Sequence, residues 1–316
     1  ALPVAVAALP AGRRLPASLS GRGRLVFALW EGVLLLGVGA AWTAGRRMPY
    51  LSQFFGSGGL GPSDVLGSRP HFFDLGALGW LTVVCVGASL LLALLAARGT
   101  SAPPPSRRAK AGLVLAIGLG QVVGVLPPSF HYIGWTAGSL DRYLLPLLPF
   151  AVALLLWAAR GLRLALPLGW LAIALLAAFS IAGTRDYLVF MDAVWNMART
   201  ANAAGVANDR LDAGSAWDGY HLYEESLAGH IKPRALTKGP WWVYFYAPAT
   251  DSSYVVATKP QPGYVVAMSR PYSAWLARGP TRLYLLRRLW MPWPARSASP
   301  ASPTSPVRPR WPGWPR

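Results

Sequence analysis

From Leu162 to Gly183 the chain carries one charged residue, Arg163, in a run otherwise built of Leu, Ala, Ile, Trp, Phe, Pro, Gly and Ser. A small soluble core cannot cover a helix this oily on all sides, so the run belongs in a bilayer. Four further runs read the same way: Leu25 to Ala44, Leu75 to Ala97, Ala111 to Leu126 and Tyr143 to Ala159. The last two are short and call for tilting or for extension into flanking residues. With 53% hydrophobic and only 13% charged residues the chain is far from ordinary soluble composition. These runs predict a polytopic α-helical membrane protein of about five spans.

The loops orient the spans. Arg13, Arg14, Arg22 and Arg24 precede the first, Arg98, Arg107, Arg108 and Lys110 follow the second, and Arg160 and Arg163 follow the fourth, with no acidic residue in any of these loops. The alternate loops set Arg46, Arg47, Arg69 and Arg142 against Asp64, Asp74 and Asp141 over longer stretches. The positive-inside rule places the first set in the cytoplasm and the C-terminal region outside it, across a plasma or inner membrane. Topology also accounts for the formal net charge of +18, and no nucleic-acid motif accompanies it, so no nucleic-acid partner is expected. Cys85, the single cysteine, rules out an internal disulfide and a cysteine metal site. Ala1 to Pro10 reads as the tail of an earlier span, which makes the chain a fragment.

After Gly183 the pattern changes, and most of the acidic residues lie there. Leu188, Met191, Trp195 and Ala198 fall on one face of an amphipathic helix over Asp186 to Ala204, with Thr184 as N-cap and Gly205 as stop. Trp241 to Ala247, Tyr254 to Thr258, Tyr264 to Ser269 and Arg282 to Arg287 are rich in Tyr, Val, Trp and Phe and are separated by Pro248, Asp251 and Pro262-Gly263, as short strands are. The expected organisation is a transmembrane region over residues 1–183, a small α+β extracytoplasmic domain over 184–291, and a disordered Pro, Ser and Arg tail over 292–316.

Asp141-Arg142-Tyr143 opens directly into Leu-Leu-Pro-Leu-Leu-Pro, an apolar helix with two prolines that neighbouring membrane helices can satisfy. This motif resembles the late transmembrane region of GT-C glycosyltransferases, the group of dolichyl-phosphate-mannose protein mannosyltransferases and bacterial aminoarabinose transferases. Thr184-Arg185-Asp186-Tyr187, Gly205-Val206, Asp209 to Gly214 and Trp217-Asp218-Gly219-Tyr220 are similar in order to the outer domain of bacterial members. Met48-Pro49-Tyr50-Leu51 and Gly58 to Pro62 resemble their preceding outer loop. The resemblance implies transfer of a sugar from a polyprenyl-phosphate donor to an envelope acceptor, with the lipid bilayer as the third partner. It also implies a catalytic carboxylate in the family's first outer loop. Nothing here matches that loop, since Asp64 and Asp74 fall too late, so no catalytic residue is assigned in this chain. No cofactor is assigned either, and a divalent metal is left open for the intact protein.

The substrate-binding candidates are Arg142, Asp141, His131 and Tyr132. The Arg142 guanidinium has the geometry to clamp a lipid phosphate bidentately; its other reading is a helix anchor paired with Asp141. His131 and Tyr132 share a short outer loop and can hydrogen-bond a sugar or phosphate, while an aromatic belt explains Tyr132 and Trp135 equally well. Gly56-Ser57-Gly58-Gly59 reads as a turn, lacking the lysine of a P-loop. Asp212, Asp218 and His221 have residue types suited to metal or acid–base work, but their spacing matches no ligand signature and the expectation is solvated side chains in a turn, with no metal. Trp217, Trp241 and Trp242 can stack on a sugar, although a core role is commoner. Glu31, inside the first span, has to face protein or a polar cavity or be protonated. The reading from a different class is a non-catalytic membrane anchor that displays an outer interaction domain.

Overall fold

The computed structural model describes residues 6–7, 21–43, 55–56, 59–60, 65–67, 72, 75–98, 149, 152–153, 156, 164–229 and 250–290. The expected spans at Ala111 to Leu126 and Tyr143 to Ala159 lie outside the described residues except at a few positions, and the expected strand at Trp241 to Ala247 and the tail lie wholly outside them. The chain forms two compact units: residues 1–62, 70–187 and 275–278 make the first, and 63–69, 188–274 and 279–316 the second.

In the first unit, α1 (Gly21–Thr43) and α2 (Leu75–Arg98) pack together. The Trp30 Nε1–H donates to Ser89 Oγ at 3.1 Å between them. Leu25, Val33 and Leu36 on α1 and Trp80 on α2 stay largely exposed. Glu31 is only 7% exposed, and its carboxylate has no hydrogen-bond partner among the described residues. Phe55–Gly56 (β1) and Gly59–Leu60 (β2) pair antiparallel, Phe55 opposite Leu60 and Gly56 opposite Gly59, which makes the glycine-rich segment a hairpin.

The longest element, α3, runs unbroken over Leu166–Ala203. Its first half, which belongs to the first unit, is long and apolar enough to cross a membrane, and it exposes Leu166, Trp170, Leu171, Leu175 and Ile181. Among the described residues no other helix meets that test, and Phe27–Ala40 and Gly79–Leu91 are shorter apolar helices. Gly183 lets Leu60 approach, since a Cβ there would stand 2.7 Å from Leu60 Cδ1. Sequence reasoning started a separate helix at Thr184; the structure continues the first one. Pro167 sits in the first turn, where proline is tolerated, and no proline follows before Pro233. One interior glycine costs about 1 kcal/mol, less than freeing the backbone groups of two new helix ends. The stop at Gly205 is as expected. Its φ is 92°, and Val206 N–H to Ala201 O (3.1 Å) with Gly205 N–H to Asn202 O (2.9 Å) closes a Schellman motif.

The second unit is a four-stranded sheet of order β3-β4-β6-β5, built from Leu211–Asp212 (β3), Tyr254–Ala257 (β4), Tyr264–Pro271 (β5) and Arg282–Arg288 (β6). β3 lies parallel to β4 and the other pairings are antiparallel. Every residue of β4 is buried because both faces are covered. Tyr254 and Val256 face a core with Leu283 and Leu285, while Val255, Ala257 and Leu286 pack with Leu66 in a second cluster. The first core is closed by Phe190, Val194, Met197, Ala198 and Ala201, an α3 stripe at helical spacing. Of the face expected from the sequence, Ala198 lies in this core and Met191 and Trp195 pack against it, whereas Leu188 is 60% exposed. Apolar residues occupy a broad arc here, so periodicity alone leaves the angle open by most of a residue step. Phe190 also meets Tyr272 edge-on at 5.6 Å.

Phe190→Ala is therefore expected to destabilise the full chain by about 3–5 kcal/mol, and Leu188→Ala by less than about 1 kcal/mol, when unfolding of the second unit is followed in detergent. Equal losses would mean that Leu188 is packed as fully as Phe190.

Candidate functional site

Asp212 ends β3, and the chain leaves it through Ala213 and Gly214 into α4 (Ser215–Ala228). Gly214, at φ 90° and ψ 169°, takes a conformation that side chains resist, and it turns the strand directly into the helix. The turn gathers two carboxyl groups. Gly214 N–H donates to Asp212 Oδ1 at 3.1 Å, and Ala213 N–H donates to Asp218 Oδ1 at 3.1 Å. Both groups sit near the N-terminus of α4, where the helix dipole favours negative charge.

Burial changes their chemistry. Asp212 is 2% exposed and Asp218 0%, in place of the solvated turn that sequence reasoning expected. That expectation failed because the stretch after Asp209 is a strand followed by a helix: Leu211, Ala213, Trp217 and Leu222 are all buried and draw the intervening polar residues inward. Among the described residues no main-chain or side-chain donor reaches Asp218 Oδ2. Desolvation first, and then the charge of Asp212, raise the Asp218 pKa well above the carboxylate range, against the opposing hydrogen bond from Ala213. Burial and the neighbouring Asp212 charge thus favour the protonated form of Asp218. The pair is closed to solvent inside the β3–α4 turn.

His221, one turn further along α4, does not join the pair. Its ring packs on Trp217 at 4.1 Å, with Tyr220 at 4.9 Å and Trp195 at 6.2 Å. Burial, and next the Arg199 charge, lower its pKa, so the imidazole is neutral at pH 7. Among the described residues no group of three or more His, Cys, Asp or Glu side chains could hold a metal ion. Trp217 is only 3% exposed and presents no face for a sugar; it meets Trp195 edge-on at 5.0 Å as part of the core. Tyr220, 61% exposed and 5.6 Å from Trp195, is the open aromatic of this cluster. Arg199 lies over Trp195 at 5.7 Å and donates to Asn196 Oδ1 at 3.3 Å.

Arg142, Asp141, His131 and Tyr132 lie outside the described residues, as do Asp64, Asp74, Trp241 and Trp242. The carboxyl pair escaped sequence reasoning as a pair. Its signal was an Asp on each side of an Ala-Gly turn between a short apolar strand and a helix. No protein-family model, curated protein or solved structure matches the chain.

The raised Asp218 pKa has a measurable consequence. Because folding raises the Asp218 pKa, the stabilisation it brings is fully present below the unfolded carboxylate pKa, about 3.9, and is lost as pH rises towards the folded value. Stability is thus expected to fall over that window by about 1.4 kcal/mol for each unit of pKa shift. Asp218→Asn supplies a permanent donor of the same shape that cannot ionise, and is expected to flatten this dependence as pH rises above about 4 while keeping the fold. Denaturant titration across that range reads the result, and an unchanged slope would assign the proton elsewhere.

Proposed function

We propose that this chain is a multi-pass membrane protein of GT-C-like glycosyltransferase type, which engages a polyprenyl-phosphate sugar at the membrane surface for transfer to an envelope acceptor. The reading is carried by Asp141-Arg142-Tyr143 opening into the proline-bearing apolar run that ends at Pro149, followed in order by the outer-domain motifs from Thr184 to Tyr220. It is supported by the apolar first half of α3 and by the alternation of acid-free basic loops with mixed ones. On this reading about five helices span the bilayer, and the region after Gly183 is extracytoplasmic. Arg142 clamps the lipid phosphate with two parallel N–H donors and offsets the charge that builds on the leaving group. Asp141 holds the guanidinium in place, and His131 and Tyr132 offer hydrogen bonds to the sugar or phosphate. The carboxylate that takes the acceptor's proton has no match in this chain.

Donor binding tests the reading. In bilayer discs, Arg142→Ala is expected to weaken affinity for a polyprenyl-phosphate sugar by about tenfold to a hundredfold, corresponding to a charge-assisted contact of about 1.5–3 kcal/mol. Arg142→Lys should recover part of the loss, keeping the charge without the fork, and Arg46→Ala should leave affinity unchanged. Wild-type affinity in Arg142→Ala would reduce Arg142 to a helix anchor.

Topology is tested separately in a Cys85→Ser background. Ser129→Cys and Ser252→Cys are expected to react with a membrane-impermeant thiol reagent from the same face of sealed vesicles. Reaction from opposite faces would overturn the span count.

A second reading, a non-catalytic membrane anchor with an outer interaction domain, is favoured by one observation. Tyr220, Tyr223 and Leu227 form an exposed stripe along α4, a face suited to a partner protein. Absence of any donor binding would move the weight to it.

A further inference from the structure

Within the first unit, the segment Trp275–Arg278 is tied to the polar turn of α3 that follows its apolar run. The Asp186 carboxylate accepts Trp275 N–H at 2.9 Å through Oδ1 and Leu276 N–H at 2.7 Å through Oδ2. Arg185 pairs with the same Oδ1 at 3.0 Å and lays its guanidinium over the Trp275 ring at 4.4 Å. Trp275 nevertheless remains 66% exposed. The Arg185 contact covers one face of the indole and leaves the rest of it open.

Helix length supplies the setting. At about 1.5 Å per residue, Leu166 to Gly183 spans about 27 Å, close to the roughly 30 Å of a bilayer's hydrocarbon core. Arg185 and Asp186 begin the next turn, at the depth of the headgroups. Two backbone bonds to Asp186 bring Trp275 and Leu276 to that depth. A bilayer interface takes an amphipathic indole and an arginine side by side, the ring among carbonyl and upper acyl groups and the guanidinium on lipid phosphate.

We propose that Trp275–Arg278 is an interfacial anchor, a segment seated in the phospholipid headgroup layer and held there by Asp186, with Arg185 and Trp275 as the lipid contacts. The inference rests on the reading of α3 as a membrane span. It adds a contact between lipid and a segment far from the spans in sequence, which neither hydropathy nor the motifs point to.

The test uses the full chain with Cys85→Ser in phospholipid vesicles, carrying an environment-sensitive fluorophore at Ala277→Cys or, separately, at Leu175→Cys. The label at 277 is expected to be quenched by phospholipids with a shallow nitroxide more than by those with a deep one, and the label at 175 in the reverse order. Asp186→Ala should abolish lipid quenching at 277 while deep quenching at 175 persists, which shows that the span is intact. Trp275→Ala should reduce it. Quenching at 277 by aqueous iodide alone, with deep quenching kept at 175, would overturn the anchor and leave the span standing. Loss of lipid quenching at 175 in the parent would overturn the span, and the anchor with it. Lipid quenching at 277 that survives Asp186→Ala would overturn the role given to the carboxylate.

Discussion

A single helix has to satisfy two environments. The first half of α3 exposes Leu, Ile and Trp around its circumference, and the second half buries a narrow stripe of Phe190, Val194, Met197, Ala198 and Ala201 in the core of a small sheet. A helix apolar all round needs an apolar solvent, whereas a striped helix needs one packed face and water on the other. The change falls within a few residues of Gly183. Thr184, Arg185 and Asp186 form the polar turn between the two halves, and in the second unit β4 is covered on both faces.

Polar groups are placed by the same economy. Asp186 is satisfied by two backbone N–H groups and an arginine, and stays partly open. Asp212 and Asp218 are buried, and there the cost of burying two charges pushes Asp218 towards its protonated form. Asp212 accepts Gly214 N–H and Asp218 accepts Ala213 N–H, and Trp217 is buried on the same turn.

Much of the second unit was legible in the sequence. The strands at Tyr254, Tyr264 and Arg282 announce themselves by dense Tyr, Val and Leu between turn residues, and Gly205 ends α3 as a helix-stopping glycine should. α1 and α2 begin and end within a few residues of the expected apolar runs. The misses have physical causes. The two-residue strand β3 is too short to show alternation, so Asp212 looked solvated. α4 carries Trp, Tyr and His between acidic residues and has no clean apolar stripe, so Asp218 looked like part of a loop. Thr184 is a sound N-cap type, yet no helix begins there, because the backbone already has its partners in the preceding turn. The lipid-phosphate residues proposed from the motif at Asp141 to Tyr143 rest on resemblance and on charge placement at the head of an apolar run.

We propose that α3 passes from lipid to a protein-packed, water-bathed environment without a break. Spin labels placed one at a time at Leu171, Leu175, Ile181, Leu188 and Asp192 in reconstituted vesicles test it most directly, read by collision with oxygen, which concentrates in lipid, and with a polar nickel chelate, which does not. Oxygen-dominated collisions are expected from Leu171 to Ile181 and nickel-dominated collisions at Asp192, with helical periodicity throughout. Nickel access as high at Leu175 as at Asp192 would contradict it.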